Sequence, residues 1–422
     1  MTRTLYAGGT VFDGTGAAPS QADVVVEGGR FVELGTGLDG DERIDCTGRA
    51  LLPGLFDCHV HVMFSGIDVV RMMQTPFSYP FYEAVHNLKA TLHQGVTSVR
   101  DAGGADLGVQ QAVRNGLIEG PRMQISLGML SQTGGHGDDW MPCGATIALL
   151  QDHPGRPGTI VDGPDEMRRK VRELIRNGAD VIKVATSGGV LSPRSDPRRG
   201  QFRDAEIAVL VEEATAAGRF VMAHAQATDG IKVAIRNGVR SIEHGIYLDD
   251  EAIDMMLAAG TWLVPTLVAP RAVLDLAASG VQLPDHMVDK ARMVIDAHTE
   301  SVRRAVAAGV QVAMGTDSGV GAHGHNLREL PLMVECGMTP AQALHATSLS
   351  AARLLGVDAE LGSIEVGKRA DLVVVDGDPL DVETLGDRIR QVYADGRLVA
   401  APTPSTRLRR NVHSGVCHGG QP

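Results

Sequence analysis

Basic residues, cysteines, aromatic rings and long apolar runs are all in short supply in this sequence, and each shortage closes off a class of function. Acidic residues outnumber basic ones by 51 to 39, a formal net charge of −12, which argues against nucleic acid or an anionic membrane as a partner. A local basic pocket can still hold a carboxylate in such a chain. The five cysteines, Cys46, Cys58, Cys143, Cys336 and Cys417, are odd in number and show no C-x-x-C spacing. Neither a disulfide framework nor a zinc ribbon is indicated, and reduced thiols in the cytoplasm are expected. No apolar run approaches the length of a membrane span, and the opening Met1-Thr2-Arg3-Thr4-Leu5 lacks the apolar core of a secretion signal. Against 4% aromatics stand 43% hydrophobic residues and 51 glycines. That mixture suits a globular α/β enzyme acting on small molecules better than a fibrous or disordered chain.

Both ends of the chain read as β-structure. Residues 22–32 form two short β runs about Gly28-Gly29, and residues 367–377 and 392–399 repeat the style with Asp-Gly turns. The simplest arrangement puts residues 1–52 and 358–402 into one small β-sandwich, with 53–357 inserted as a larger domain and 403–422 left as a polar, basic tail. In the tail, His413, Cys417 and His418 imitate metal-ligand spacing, but no scaffold surrounds them.

Between the ends the pattern alternates. Helical spacing occupies 81–94, 164–177, 204–217, 249–259 and 284–308. Short apolar runs lie at 97–100, 122–127, 181–186, 220–224, 241–244, 262–266 and 310–317. With the run at 54–62 these number eight, which predicts a (β/α)8 TIM barrel whose catalytic groups stand at the C-terminal ends of its strands. After the last strand, Thr339-Pro340-Ala341-Gln342 reads as an N-cap, a first-position proline and a capping-box Gln opening a helix through about Leu355.

The run Gly54-Leu55-Phe56-Asp57-Cys58-His59-Val60-His61-Val62 organises the rest. Strand side chains alternate faces, so His59 and His61 share one face, a pleat apart, and can grip one cation. Two imidazoles in an apolar strand would otherwise need costly polar satisfaction. Lys183, His224, His244 and Asp317 stand at four further strand ends.

This order of residues resembles the amidohydrolase superfamily. The likeness covers nearly the whole chain, since Leu52-Pro53-Gly54-Leu55 and Gly367-Lys368-Arg369-Ala370-Asp371-Leu372 match that superfamily's split β-sandwich. It implies a binuclear site in which Lys183 is carboxylated on its amine (N6-carboxylysine) and bridges two cations. His59, His61 and Asp317 would hold one, and His224 and His244 the other. A strand-end lysine reacts in this way only where burial and nearby cations keep its amine neutral. Imidazole and carboxylate ligands suit zinc first, with manganese or cobalt as alternatives. The implied reaction is hydrolysis of a C–N amide bond by a hydroxide shared between the metals, with Asp317 taking its proton and passing it to the leaving nitrogen.

Substrate choice rests on the loops. Gly134-Gly135-His136-Gly137, on a long loop after strand three, and Thr186-Ser187-Gly188-Gly189 after Lys183 resemble the dipeptidase and aminoacylase branch that includes Xaa-Pro dipeptidases and ochratoxinase-like amidases. The resemblance implies that His136 contacts the scissile carbonyl or a terminal carboxylate. Gln226, two residues past His224, returns to the ligand face, and Tyr247 follows His244 at the barrel mouth; both are candidate substrate contacts. Several members of that branch favour an aromatic or His at the position of Gln226, a departure that bears on substrate identity. Phe64, Phe77, Tyr79, Phe81 and Tyr82, with Met63, Met72 and Met73, cluster after the His-x-His strand. They read either as a lid for apolar side chains or as packing against outer helices or a neighbouring subunit. A dipeptide or N-acyl amino acid is the expected substrate, and a second copy of the chain the expected macromolecular partner. The alternatives are a deaminase or cyclic-amide hydrolase of the same superfamily, imidazolonepropionase-like, or a catalytically silent scaffold. Ala227 stands where such deaminases place a proton-shuttling Glu.

Overall fold

A computed structural model describes residues 2–401 apart from 142 and 150. The tail at 403–422, with His413, Cys417 and His418, lies outside the described residues.

The centre of the molecule is a ring of parallel strands. Strands one to seven are Leu55–Val60, Val96–Asp101, Arg122–Ile125 continued by Met129–Leu130, Val181–Ala185, Phe220–Ala225, Ser241–His244 and Trp262–Val264. They pair in sequence order as two arcs, which meet at the two pieces of strand three. Residues 122–127, expected as one run, break there because Leu127 takes a left-handed backbone, φ 67°. Residues 310–317 act as strand eight and close the ring. Val312 bridges Leu263 of strand seven, Ser318 bridges Val60 of strand one, and Asp317 N donates to His59 O at 2.7 Å. Strands one, two and four are buried along their whole length, as expected where helices cover the outside and side chains fill the inside.

The helical periodicity corresponds to Tyr79–Leu92, Pro164–Arg176, Asp204–Ala216, Asp250–Ala259 and Asp285–Ala308. Leu107–Arg114, Thr228–Arg236 and Val268–Ala278 supply helices to the remaining units. The Thr339 capping box forms, with Thr339 Oγ1 accepting from Gln342 N and Gln342 Oε1 accepting from Thr339 N at 2.8 Å. Its helix, however, stops at Ala346, and a second one covers Leu349–Leu355. Thr347 Oγ1 leaves the helical path to donate to Phe56 O on strand one, at 2.6 Å.

The chain ends build one continuous sheet. Its order is Arg397–Ala400, Ile389–Ala394, Leu372–Asp376, Arg49–Pro53, Thr4–Val11, Ser20–Glu27, Arg30–Gly35, with Glu42–Asp45 also on Thr4–Val11. Tyr6 and Tyr393 lie three strand spacings apart in that order, about 14 Å in a flat sheet. Their ring centroids are 5.2 Å apart. The sheet therefore rolls over on itself, and the two layers of the sandwich are halves of one sheet. Arg122, on barrel strand three, ties it to the barrel through Asp371 and through Asp395 at 2.8 Å.

Candidate metal centre

Backbone strain collects where the barrel strands end. Among the described residues six non-glycines have positive φ, and four of them mark this rim: Leu127 at the break in strand three, His244 and Asp317 at the ends of strands six and eight, and Thr266 just past strand seven. Each costs about 1–3 kcal/mol and persists only where its surroundings over-determine it. Here the strain aims side chains inward.

His59, His61, Lys183, His224, His244 and Asp317 converge at this rim. Lys183 Nζ is 3.2 Å from His59 Nε2, and Asp317 Oδ1 is 3.2 Å from His61 Nε2 and 3.5 Å from His59 Nε2. The His59 and His244 rings are 5.1 Å apart, and those of His224 and His244 4.5 Å. Ligand atoms of His59, His244 and Asp317 lie within 4.8 Å of one another.

Each imidazole is held through one nitrogen. His59 Nδ1 meets Glu243 Oε2 at 2.8 Å, His61 Nδ1 meets Gly103 O at 2.7 Å, and His224 Nε2 meets Gly188 O at 3.2 Å. His244 Nδ1 meets Thr266 Oγ1 at 2.6 Å, and because that hydroxyl already donates to Pro265 O, it accepts from the ring. All four partners are acceptors, so all four held nitrogens carry the proton. The opposite nitrogens are left with lone pairs, the arrangement in which outer partners fix the tautomer of metal-binding histidines. Four such imidazoles beside a carboxylate and a buried amine fit divalent cations.

The anchors are themselves anchored. Glu243 Oε1 accepts from Arg100 at 2.9 Å and from Ser241 Oγ at 2.5 Å, while Arg100 also donates to Cys58 O at 2.7 Å. Asp101 accepts the N–H groups of Val62, Gly103 and Ala105, fixing the turn that presents Gly103 O. Asp57 accepts hydrogen bonds from the His59 and Thr316 N–H groups and from the Thr316 hydroxyl, riveting strand one to strand eight. His298 Nε2 lies 3.0 Å from His244 O and 2.8 Å from Pro265 O. None of these supports was singled out from the sequence. Glu243 and Arg100 carried a signal, being charged residues inside otherwise apolar strands.

Burial governs the charge states. It holds His59, His224 and His244 well below the usual imidazole range, and it brings Lys183 down to about 8 against the pull of Glu243 and Asp317. At Asp317 burial acts upward, but the surrounding His59, His61 and Lys183 outweigh it and keep the carboxyl below its ordinary range.

A cavity of about 640 Å³ opens above these groups. His136 and Gln226 line it. The His136 ring stacks on that of His224 with centroids 4.2 Å apart, and burial lowers it to about 4. It fits because residue 189 is glycine, where a Cβ would collide with the ring. His136 Nδ1 and Gln226 Oε1 are buried without partners. Tyr247 takes a different place from the one expected. The left-handed backbone of His244 and Gly245 turns the chain, and Tyr247 packs in the apolar cluster of Val190 and Ile246 rather than lining the cavity. The aromatic segment divides. Phe64 and Met72 line the cavity, whereas Phe77 and Phe81 lie outside it, against the His153 ring at 5.6 and 5.9 Å. Among the described residues, no helix is long and apolar enough to cross a membrane.

The profile of the amidohydrolase family matches residues 50–419. Ochratoxinase from Aspergillus niger is 36% identical over 372 residues, spanning 83% of this chain and 76% of that protein. An Xaa-Pro dipeptidase structure with methionine bound in its active site superposes with a TM-score of 0.86 at 32% identity, covering 94% of this chain and 99% of the other. A prolidase complexed with N-methylphosphonate-L-proline gives 0.87 at 36%, covering 95% and 100%. Sequence likeness, barrel and strand-end chemistry agree, and the chain belongs to the amidohydrolase family as a metal-dependent hydrolase of amide bonds.

Proposed function

We propose that this enzyme cleaves the C–N amide bond of a dipeptide or N-acyl amino acid at a binuclear centre. His59, His61, Lys183, His224, His244 and Asp317 are its ligands in this reading, with Lys183 carboxylated. The observation that carries it is the set of four imidazoles, each held through one nitrogen, with the opposite nitrogens of His59 and His61 turned to Lys183 and Asp317. When bound, two divalent cations, zinc first and manganese or cobalt as alternatives, supply a water that ionises near neutrality and polarise the carbonyl.

The chain's own residues do the rest. With its amine at about 8, Lys183 is neutral in about a tenth of molecules at pH 7, enough to react with carbon dioxide and give an anionic carbamate. Asp317, its carboxyl held below the ordinary range, accepts the proton of the attacking water and hands it to the leaving nitrogen. Neutral His136 donates a hydrogen bond to the carbonyl oxygen as it gains charge. Gln226 Oε1, unpartnered and buried, accepts from a substrate N–H. The similarity to ochratoxinase and to the Xaa-Pro dipeptidase and prolidase structures supports this substrate class.

The test is amine release from a panel of Xaa-Pro, Xaa-Arg/Lys and N-acyl aromatic amino acids with added zinc, beside a Lys183→Ala control. Turnover by the native chain and its loss in the control are expected. Silence across the whole panel would move the assignment to cyclic amides.

A further inference from the structure

The metal centre accounts for part of the cavity, and the lining also holds a charge that the centre does not use. Three Lys or Arg residues line the cavity: Lys170, Lys183 and Arg156. Lys183 belongs to the centre, and Lys170 is paired with Glu173 at 2.7 Å. Among the described residues Arg156 has no carboxylate within ion-pair distance. Among the described residues its side chain makes one hydrogen bond, from a terminal nitrogen to Gln151 O of its own loop. Nε and the other terminal nitrogen have no partner among the described residues and are not among the buried unsatisfied atoms, and Arg156 borders both this cavity and the smaller one beside Phe77 and Phe81.

The neighbouring acids are occupied or distant. Asp152, Asp101 and Asp106 influence Arg156 only from beyond pairing range. Asp101 is committed to three backbone N–H groups, and Asp106 caps the helix Leu107–Arg114 through Val109 N. The Arg156 backbone is well placed. His153 and Arg156 exchange both backbone hydrogen bonds, at 3.0 and 2.9 Å, around Pro154-Gly155, and the Phe77 and Phe81 rings bracket His153. Three residues on, Thr159 O accepts from Ser131 N, which returns the segment to the end of strand three beside the centre. The wall also carries Asp138, Asp139 and Asp152, of which Asp138 accepts from Gly134 N and Trp140 N and Asp139 from Leu149 N, beside apolar residues that include Ile67, Val190, Ile246 and Val273. An unpaired guanidinium in such a wall selects an anion, and its planar fork matches a carboxylate.

We propose that Arg156 recognises a free carboxylate on the substrate, that of the amino-acid half of the amide, and so makes acids rather than carboxamides or esters the true substrates. This rests on the amide-hydrolase reading above and names the chemistry of the far end of its substrate. Arg156 touches no reacting atom; it is a specificity residue.

The test compares kcat/KM for an N-acyl amino acid with that for its own carboxamide, in the native enzyme, Arg156→Gln and Arg156→Lys, with thermal unfolding as the check on folding. The native enzyme is expected to favour the acid by roughly 10- to 200-fold, chiefly through KM. In Arg156→Gln that ratio falls to near unity, and in Arg156→Lys it falls partway. An equal loss on acid and carboxamide, or an unchanged ratio, overturns the assignment. If Arg156→Gln does not fold, Arg156→Lys and inhibition of the native enzyme by the free amino acid against its amide carry the decision. Equal inhibition by the two counts against Arg156. Native enzyme that cleaves neither partner of any pair fails at the hydrolysis reading itself, and this assignment falls with it.

Discussion

On the floor of the cavity each imidazole is gripped at one nitrogen, and the residue that grips His59 is gripped in turn by Arg100. The outer wall formed by residues 131–160 is held mostly by its own backbone turns, such as Met141 N to Ala145 O and Ile147 N to Asp139 O. It reaches the facing loop through the Arg194 guanidinium, 4.5 Å over the Trp140 ring. Met72, Met129, Met141 and Met287 line the cavity, and their unbranched, polarizable chains adapt to varied shapes. The difference teaches a division of labour. Bond cleavage needs ligands fixed to fractions of an ångström, so the floor is over-determined, while selection among substrates is left to loops that change without disturbing it.

That contrast can be broken from the floor outward. Asp317→Asn removes the proposed proton carrier and is expected to lower kcat about 10²- to 10⁴-fold with little change in KM, read by steady-state kinetics at saturating metal. Next comes Glu243→Gln, which strands the buried Arg100 charge and frees the His59 tautomer. It should destabilise the metal-free chain by about 3–5 kcal/mol in denaturant titration and weaken metal binding about 10- to 100-fold in chelator competition. A double Arg100→Met, Glu243→Met chain regains most of that stability but not the metal affinity; recovery of both would mean that His59 does not depend on Glu243. The smallest effect belongs to the wall. Replacing Phe77 and Phe81 with Ala should leave preference among apolar and polar acyl groups within about twofold, because neither ring lines the cavity. A larger change in that preference would restore the lid.

What was legible in the sequence follows this same division. His59, His61, Lys183, His224, His244 and Asp317 could be picked out because each is a polar residue in or just after an apolar run of a repeating β/α pattern, although Lys183 lies mid-strand rather than at the strand end expected. Their supports are harder to read. Gly103 O and Gly188 O are backbone atoms with no residue signature, and the kink at Leu127 arises from tertiary closure rather than from the local pattern. Tyr247 reads as a barrel-mouth residue because it follows His244 closely in sequence, but the left-handed His244 and Gly245 turn the chain there and Tyr247 packs beside Ile246. Phe77 and Phe81 were grouped with Phe64 by proximity in sequence, although a helix start separates their directions. Arg156 lay in a loop with no periodicity to mark it.

Strand eight deserves a last consequence. Asp57 and Thr316, 259 positions apart, are joined by the same rivet that sets His59 beside Asp317. A nascent polypeptide therefore possesses no complete ion-binding constellation until its final barrel segment slots in between the first and the seventh. In the ligand set proposed above, closing the ring and completing the centre therefore coincide.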